Sequence, residues 1–158
     1  MPGPITAIRC AEPAESAALR DLHRRSSFVW QDDRANLERH PEVFGVAPEA
    51  IAERRVRVAI GDGGEMVGFA TTSDAGEGAS ELDDLFVDPA AMRRGIGRAL
   101  VEDVAAIAWD AGFRRMTVVA HPRNFPFYES VAFLAGEVTA TQFGPAVRMW
   151  RELDSPSR

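Results

Sequence analysis

The chain has 158 residues, 46% of them apolar, a single cysteine and a formal net charge of −6. That length suits one domain, which can bury roughly 70% of its unfolded surface without a disulfide or metal staple. The acidic balance excludes bulk binding to DNA, RNA or anionic lipid, which needs a clustered positive surface. No apolar run reaches the ~18 residues of a membrane span, and the opening MPGPIT has neither a basic nor an apolar leader segment. A cytoplasmic protein is therefore expected, with no membrane and no nucleic-acid partner.

Residues 5–10 read as a first strand ending in Cys10, a lone thiol expected to be buried and structural. Residues 11–27 follow as a helix entered through Pro13 and Glu15, with Ala18, Leu19 and Leu22 as its apolar stripe. A more polar helix is expected over 31–40, stopping before Pro41. A loose stretch then leads to a short helix over 48–54. From residue 55 the texture changes to alternation: 55–60 and 65–74 form a hairpin around the turn Gly61–Gly64. A third extended run covers 79–88.

Residues 95–111 have helical spacing, with Ile96, Leu100, Val104, Ile107 and Ala111 three or four apart, and Gly112 stands at the C′ position. A strand over 113–120, a short helix over 124–132 and two closing strands, 133–140 and 146–153, complete the order. The tail after residue 152 reads as frayed. The succession β-α-α-β-β-β-α-β-α-β-β predicts one α/β (α+β layered) domain over residues 1–152. Its central sheet is mixed and mostly antiparallel, of about six or seven strands with about four helices.

The segment that carries chemistry is SELDDLFVDPAAMRRGIGRAL. Leu82 and Leu85 are three apart where a clean strand would alternate, so an extra residue sits at Asp83–Asp84, as in a β-bulge. A bulge frees backbone groups that an extended, amide-bearing ligand can pair with. Next comes Arg93-Arg94-Gly95-Ile96-Gly97-Arg98-Ala99, a glycine-rich turn into a helix. Helix starts carry unpaired N–H donors and positive partial charge, glycines admit a phosphate closely, and arginines bond its oxygens. A dinucleotide fingerprint would need glycine where Leu100 stands, and a Walker loop would need Gly-Lys-Ser/Thr, which is absent. Taken alone, the turn reads first as a pyrophosphate cradle, with an ordinary helix start whose glycines serve packing as the alternative.

It does not stand alone. Arg94-Gly95-Ile96-Gly97-Arg98-Ala99 matches the Arg/Gln-x-x-Gly-x-Gly/Ala signature of the GCN5-related N-acetyltransferase (GNAT) superfamily. Leu85-Phe86-Val87-Asp88-Pro89 before it, and Phe127-Tyr128-Glu129-Ser130-Val131-Ala132-Phe133 after it, are similar to further blocks of that family in the same order. The resemblance implies an acyl-CoA-dependent N-acyltransferase. It moves acetyl, or another short acyl group, from acyl-CoA to a small-molecule or peptide amine by direct attack in a ternary complex. The alternative is a non-catalytic acyl-CoA sensor or interaction module of the same fold.

The resemblance also implies roles. The pantetheine arm maps to Leu85, Phe86 and Val87, and the pyrophosphate to the amides of Arg93 through Ala99. Tyr128 maps to the general acid for the departing thiolate. Asn usually stands seven residues before that tyrosine, and here the position is His121, which can hydrogen-bond or act as a base near neutral pH. Asn124 either takes over that cofactor contact or caps the following helix. Ala132 stands where the family usually has glycine.

An amine of pKa near ~10 must lose a proton before attack, and the resemblance implies a carboxylate as base, directly or through water. Asp84 and Asp83 are the candidates here, ahead of Glu81, although two solvated strand acids are the plain reading. Phe28, Trp30, Asp32, Asp33, Phe44 and Phe143 offer aromatics and acids to a cationic acceptor, or else a hydrophobic seam and a helix start. A homodimer is possible in such a family. His23, His40 and His121 lack ligand spacing, so no metal is expected.

Overall fold

A computed structural model describes residues 5–27, 44–141 and 144–156. The helix expected over 31–40, together with Phe28, Trp30, Asp32, Asp33 and Phe143, lies outside the described residues. Seven strands follow the order β1-β2-β3-β4-β5-β7-β6: β1 Ile5–Cys10, β2 Val56–Gly61, β3 Met66–Gly76, β4 Ala79–Val87, β5 Arg115–Ala120, β6 Leu134–Thr141 and β7 Gly144–Glu152. Four α-helices lie among the described residues: α1 Ser16–Ser27, α2 Pro48–Ala52, α3 Ile96–Asp110 and α4 Phe125–Ser130. β4 pairs with β5 in parallel, while β1–β2, β2–β3, β5–β7 and β6–β7 are antiparallel. The mixed, mostly antiparallel sheet predicted from the sequence is the one observed. No helix among the described residues is long and apolar enough to cross a membrane.

The residues group into two compact units, Met1–Thr71 with Asp84–Leu100, and Thr72–Asp83 with Val101–Arg158. In the first, a turn of 3-10 helix over Pro13–Glu15 leads into α1, and the Glu15 carboxylate accepts from the Glu12 N–H at 2.8 Å. The buried face of α1 is Leu19, Leu22, His23 and Ser26, at spacings of three and four. Ala18, expected on that stripe, is exposed, and two polar residues stand where apolar ones were sought. Leu19 and Leu22 pack with Val56, Val58 and Phe69 in a common core. The glycine turn closes β2 onto β3, with the Gly64 N–H donating to the Gly61 carbonyl at 3.0 Å. Cys10 is half-buried rather than buried, because β1 lies at the edge of the strand order. The Arg57 guanidinium donates to its sulfur at 3.3 Å.

In the second unit the β3–β4 hairpin turns through Glu77 (φ 55°) and Gly78 (φ 79°), the pair of positive φ values that a two-residue type I′ turn requires. Val101, Val104, Ala105 and Ala108 of α3 are buried there. Ile107, placed on the stripe from the sequence, is 45% exposed, because the covered face runs through 101, 104, 105 and 108. α3 ends as its sequence predicts. The Phe113 N–H reaches the Ala108 carbonyl at 2.9 Å and the Gly112 N–H the Trp109 carbonyl at 3.0 Å, with Gly112 at φ 100°. These two bonds make a Schellman cap.

The same cap closes α4, with alanine in the glycine position. The Phe133 N–H donates to the Tyr128 carbonyl at 3.0 Å and the Ala132 N–H to the Glu129 carbonyl at 3.1 Å, with Ala132 at φ 72°. A left-handed residue with a Cβ costs about 1 kcal/mol. Ala132→Gly is therefore expected to raise stability by about 1 kcal/mol, less what the glycine loses in unfolded-state entropy. Urea unfolding of the two proteins measures this, and a loss of stability would contradict it.

Candidate active site

The strand expected to hold an extended ligand runs on beyond its paired stretch. Parallel pairing of β4 with β5 covers Ala79–Leu82, and β4 runs on through Asp83–Val87. The pairing thus ends where the sequence places its irregularity. Further along, the Asp88 N–H donates to the Val67 carbonyl at 2.8 Å, and the Phe86 carbonyl lies 3.0 Å from where a Cβ on Gly68 would sit. In an antiparallel pair each residue turns its N–H and C=O to one side, and its neighbours turn theirs to the other. Phe86 and Asp88 address β3, so Leu85 and Val87 address the opposite edge, beyond the stretch paired with β5.

The last turn of α1 grips this segment. The Ser26 hydroxyl lies 3.0 Å from the Val87 carbonyl and 2.9 Å from that of Leu22. Arg25 pairs with the Asp88 carboxylate at 3.0 Å, and the other Asp88 oxygen accepts from the Ala90 N–H at 3.0 Å. The His23 ring lies 4.1 Å from that of Phe86, with Phe44 edge-on at 5.4 Å and Phe69 at 6.2 Å. Its Nδ1 accepts from the Gly45 N–H at 3.0 Å. Burial of this imidazole lowers its pKa from 6.5 to about 4. Phe44 is thereby a core residue, the hydrophobic-seam reading of the two that its sequence allowed.

After a short turn over Pro89–Ala91, Arg93 (φ 67°) and Gly95 (φ 77°) take left-handed conformations and α3 begins at Ile96. Nothing lies within 4 Å of where a Gly95 Cβ would sit, so it is the φ angle, and not packing, that asks for glycine there. Ile96 and Leu100 are buried and anchor the start of the helix. Gly68 lets it approach, since a Cβ there would lie 3.1 Å from Leu100 and 3.2 Å from Ile96. The Ala99 N–H donates to the Gly95 carbonyl at 3.0 Å, so Ala99 belongs to the helical ladder. The amides of Ile96, Gly97 and Arg98 are the first-turn donors that a helix leaves without an intrahelical acceptor. Arg93 and Arg94 are exposed beside them.

In the second unit, β5 leads through His121 into a 3-10 turn over Pro122–Asn124 and then α4. His121 caps that turn, its Nδ1 accepting from the Arg123 N–H at 3.1 Å. This engages one of its two ring nitrogens. Asn124 stands at the N-cap of α4 but makes no side-chain cap bond, because its backbone (φ −94°, ψ 0°) continues the preceding turn instead of opening out. Tyr128 is 7% exposed, its ring edge-on to Phe127 at 5.1 Å and Phe133 at 5.5 Å. Of the acids on β4, Asp83 is exposed and Asp84 half-buried. The Glu81 carboxylate accepts from Thr117 at 3.2 Å and Arg148 at 3.1 Å, a cross-strand tie to β5 and β7.

The model of the acetyltransferase (GNAT) family matches residues 16–133. Glucosamine 6-phosphate N-acetyltransferase of Trypanosoma brucei brucei is 28% identical over 115 residues, 65% of this chain and 78% of that protein. The fold matches the crystal structure of the PaiA N-acetyltransferase of Thermoplasma acidophilum in complex with coenzyme A, with a TM-score of 0.71, 18% identity and coverage of 92% of this chain and 98% of that one. It also matches the ribosomal-protein-S18-alanine N-acetyltransferase of Escherichia coli, with a TM-score of 0.67, 21% identity and 96% of each chain covered. The chain belongs to the acetyltransferase (GNAT) family and is an acetyl-CoA-dependent N-acetyltransferase.

Proposed function

We infer that the chain carries an acetyl or other short acyl group from acyl-CoA to a primary amine by direct attack. The amine nitrogen forms the new bond to the acyl carbon while the carbon–sulfur bond breaks. Acyl-CoA supplies the activated thioester as co-substrate. The observation that carries the reading is the edge of β4 beyond its β5 pairing, followed within a few residues by the start of α3, whose first-turn amides lie outside the helix's own ladder. Leu85, Phe86 and Val87 would hold the pantetheine arm, with Leu85 and Val87 offering backbone groups. The amides of Ile96 to Arg98, with Arg93 and Arg94 beside them, would hold the pyrophosphate.

Tyr128 would hold the proton that the departing thiolate takes. Asp84 is the first candidate to accept the amine's proton, since a half-buried carboxylate is less screened than the exposed Asp83. Asn124, whose side chain is not spent on a cap, and His121 keep secondary roles beside Tyr128. On the acceptor side, Phe28, Trp30 and Asp33 are the residues to test by substitution.

Calorimetric titration with acetyl-CoA, followed by a free-thiol assay over an amine panel, tests the assignment. An amino-sugar phosphate and a peptide N-terminus head the panel, after the names of the trypanosomal and bacterial relatives. Binding with thiol release for any amine supports the enzyme and begins to define its acceptor. Absence of acetyl-CoA binding would return residues 93–99 to an ordinary helix start.

A further inference from the structure

We propose that the last turn of α1 is a positioning clamp for the acyl-CoA strand, with Ser26 as its central residue. The proposal rests on the assignment of Leu85–Val87 to the pantetheine arm. Three α1 residues engage three consecutive positions of one segment: His23 lies on the Phe86 ring, Ser26 reaches the Val87 carbonyl, and Arg25 pairs with the Asp88 carboxylate.

Each contact restrains a different degree of freedom. The Phe86 ring, held between His23 and Phe69, fixes which face of the sheet the side chain enters. The Asp88 carboxylate, shared by Arg25 and the Ala90 N–H, fixes where the strand ends. The Ser26 hydroxyl sets the direction of the peptide plane at Val87, and with it how the edge groups of Leu85 and Val87 are presented. It also takes up the Val87 carbonyl, which leaves the Leu85 N–H, the Leu85 carbonyl and the Val87 N–H as the edge groups for an amide-bearing arm. Ser26 is 5% exposed and holds a single proton to share between the Leu22 and Val87 carbonyls. A serine used only to bond back along its own helix would need no carbonyl from a strand 61 residues away.

The helix start that would hold the pyrophosphate is anchored separately, by Ile96 and Leu100. The clamp therefore acts on the pantetheine arm and not on the phosphates. The test compares calorimetric affinities for CoA and for 3′-phosphoadenosine 5′-diphosphate, the CoA fragment that lacks the arm. Ser26→Ala is expected to weaken CoA about three- to tenfold, the range of one lost hydrogen bond, and to leave the fragment within about twofold. Ser26→Thr, which keeps the hydroxyl, is expected to restore most of the CoA affinity. Arg25→Met, at an exposed position that does not threaten folding, is expected to weaken CoA by up to about fivefold with the fragment unchanged. Equal weakening of both ligands, or of neither, in the two variants would overturn the clamp. A parent protein that binds the fragment and CoA equally well would overturn the pantetheine assignment itself, and the clamp with it.

Discussion

Tyr128→Phe is expected to lower turnover about ten- to a thousandfold, the usual contribution of a positioned acid, while CoA affinity stays within about twofold. The fold gives this substitution a clean reading. The Tyr128 ring is held edge-on by Phe127 and Phe133, and its backbone carbonyl accepts two bonds of the α4 cap. Phenylalanine keeps both ring contacts and the cap, and only the phenol oxygen is lost. A rate loss of that size corresponds to about 1.4–4 kcal/mol of transition-state stabilisation, more than a change in packing at an isosteric site would cause. The loss should fall on kcat and on kcat/KM for the amine together, as for a group whose interaction forms only in the transition state. It should also be smaller for acyl donors with better thiol leaving groups, which need less help from an acid. Steady-state kinetics with two thioesters of different thiol pKa distinguishes these cases, and unchanged turnover would remove Tyr128 from the mechanism.

What could be read from the sequence was local. The glycine-rich turn into α3, the Gly112 cap and the glycine turn of the β2–β3 hairpin each depend on residues within about six positions of one another, and each took the conformation its composition predicts. What could not be read was set by partners distant in the chain. Ser26 meets the Val87 carbonyl across 61 positions, and Glu81 meets Arg148 across 67. Neither contact leaves a trace in spacing. The α1 stripe was misassigned for a related reason. A search for apolar spacing passes over His23 and Ser26, yet both are buried because a bond to Gly45 or Val87 satisfies them. Phe44 could be either an acceptor-side aromatic or part of a hydrophobic seam, because an aromatic in a loose stretch shows no burial until the imidazole it packs on is known. Likewise the strand alternation could not decide between Asp83 and Asp84. Their difference in exposure offers a choice, and it is the activity of Asp84→Asn against Asp83→Asn that would decide it.

Acid is expected to destabilise the protein through His23, on an element that the clamp shares. Burial holds its pKa near 4, against 6.5 for the free side chain. The folded state therefore binds fewer protons than the unfolded state between these values, and stability rises with pH across the window. It is fully present above about pH 6.5 and is lost as the pH falls towards 4. A shift of this size amounts to about 3 kcal/mol, a large part of the stability of an ordinary domain. Protonation at Nδ1 would also set two donors face to face, since that nitrogen accepts from the Gly45 N–H. Among the described residues the rings against it are Phe44, Phe69 and Phe86, and burial is the leading cause of the shift. Urea unfolding followed from pH 7.5 down to 4.5 would show this, with His23→Asn as the control. Asparagine keeps an acceptor near the Nδ1 position and cannot titrate, so it should unfold more easily at neutral pH but lose less on acidification. Parallel pH profiles for the two proteins would mean that His23 does not supply the proton linkage. Steeper loss in the parent protein would mean that the aromatic cluster of Phe44, Phe69 and Phe86 stays intact only while this imidazole is neutral.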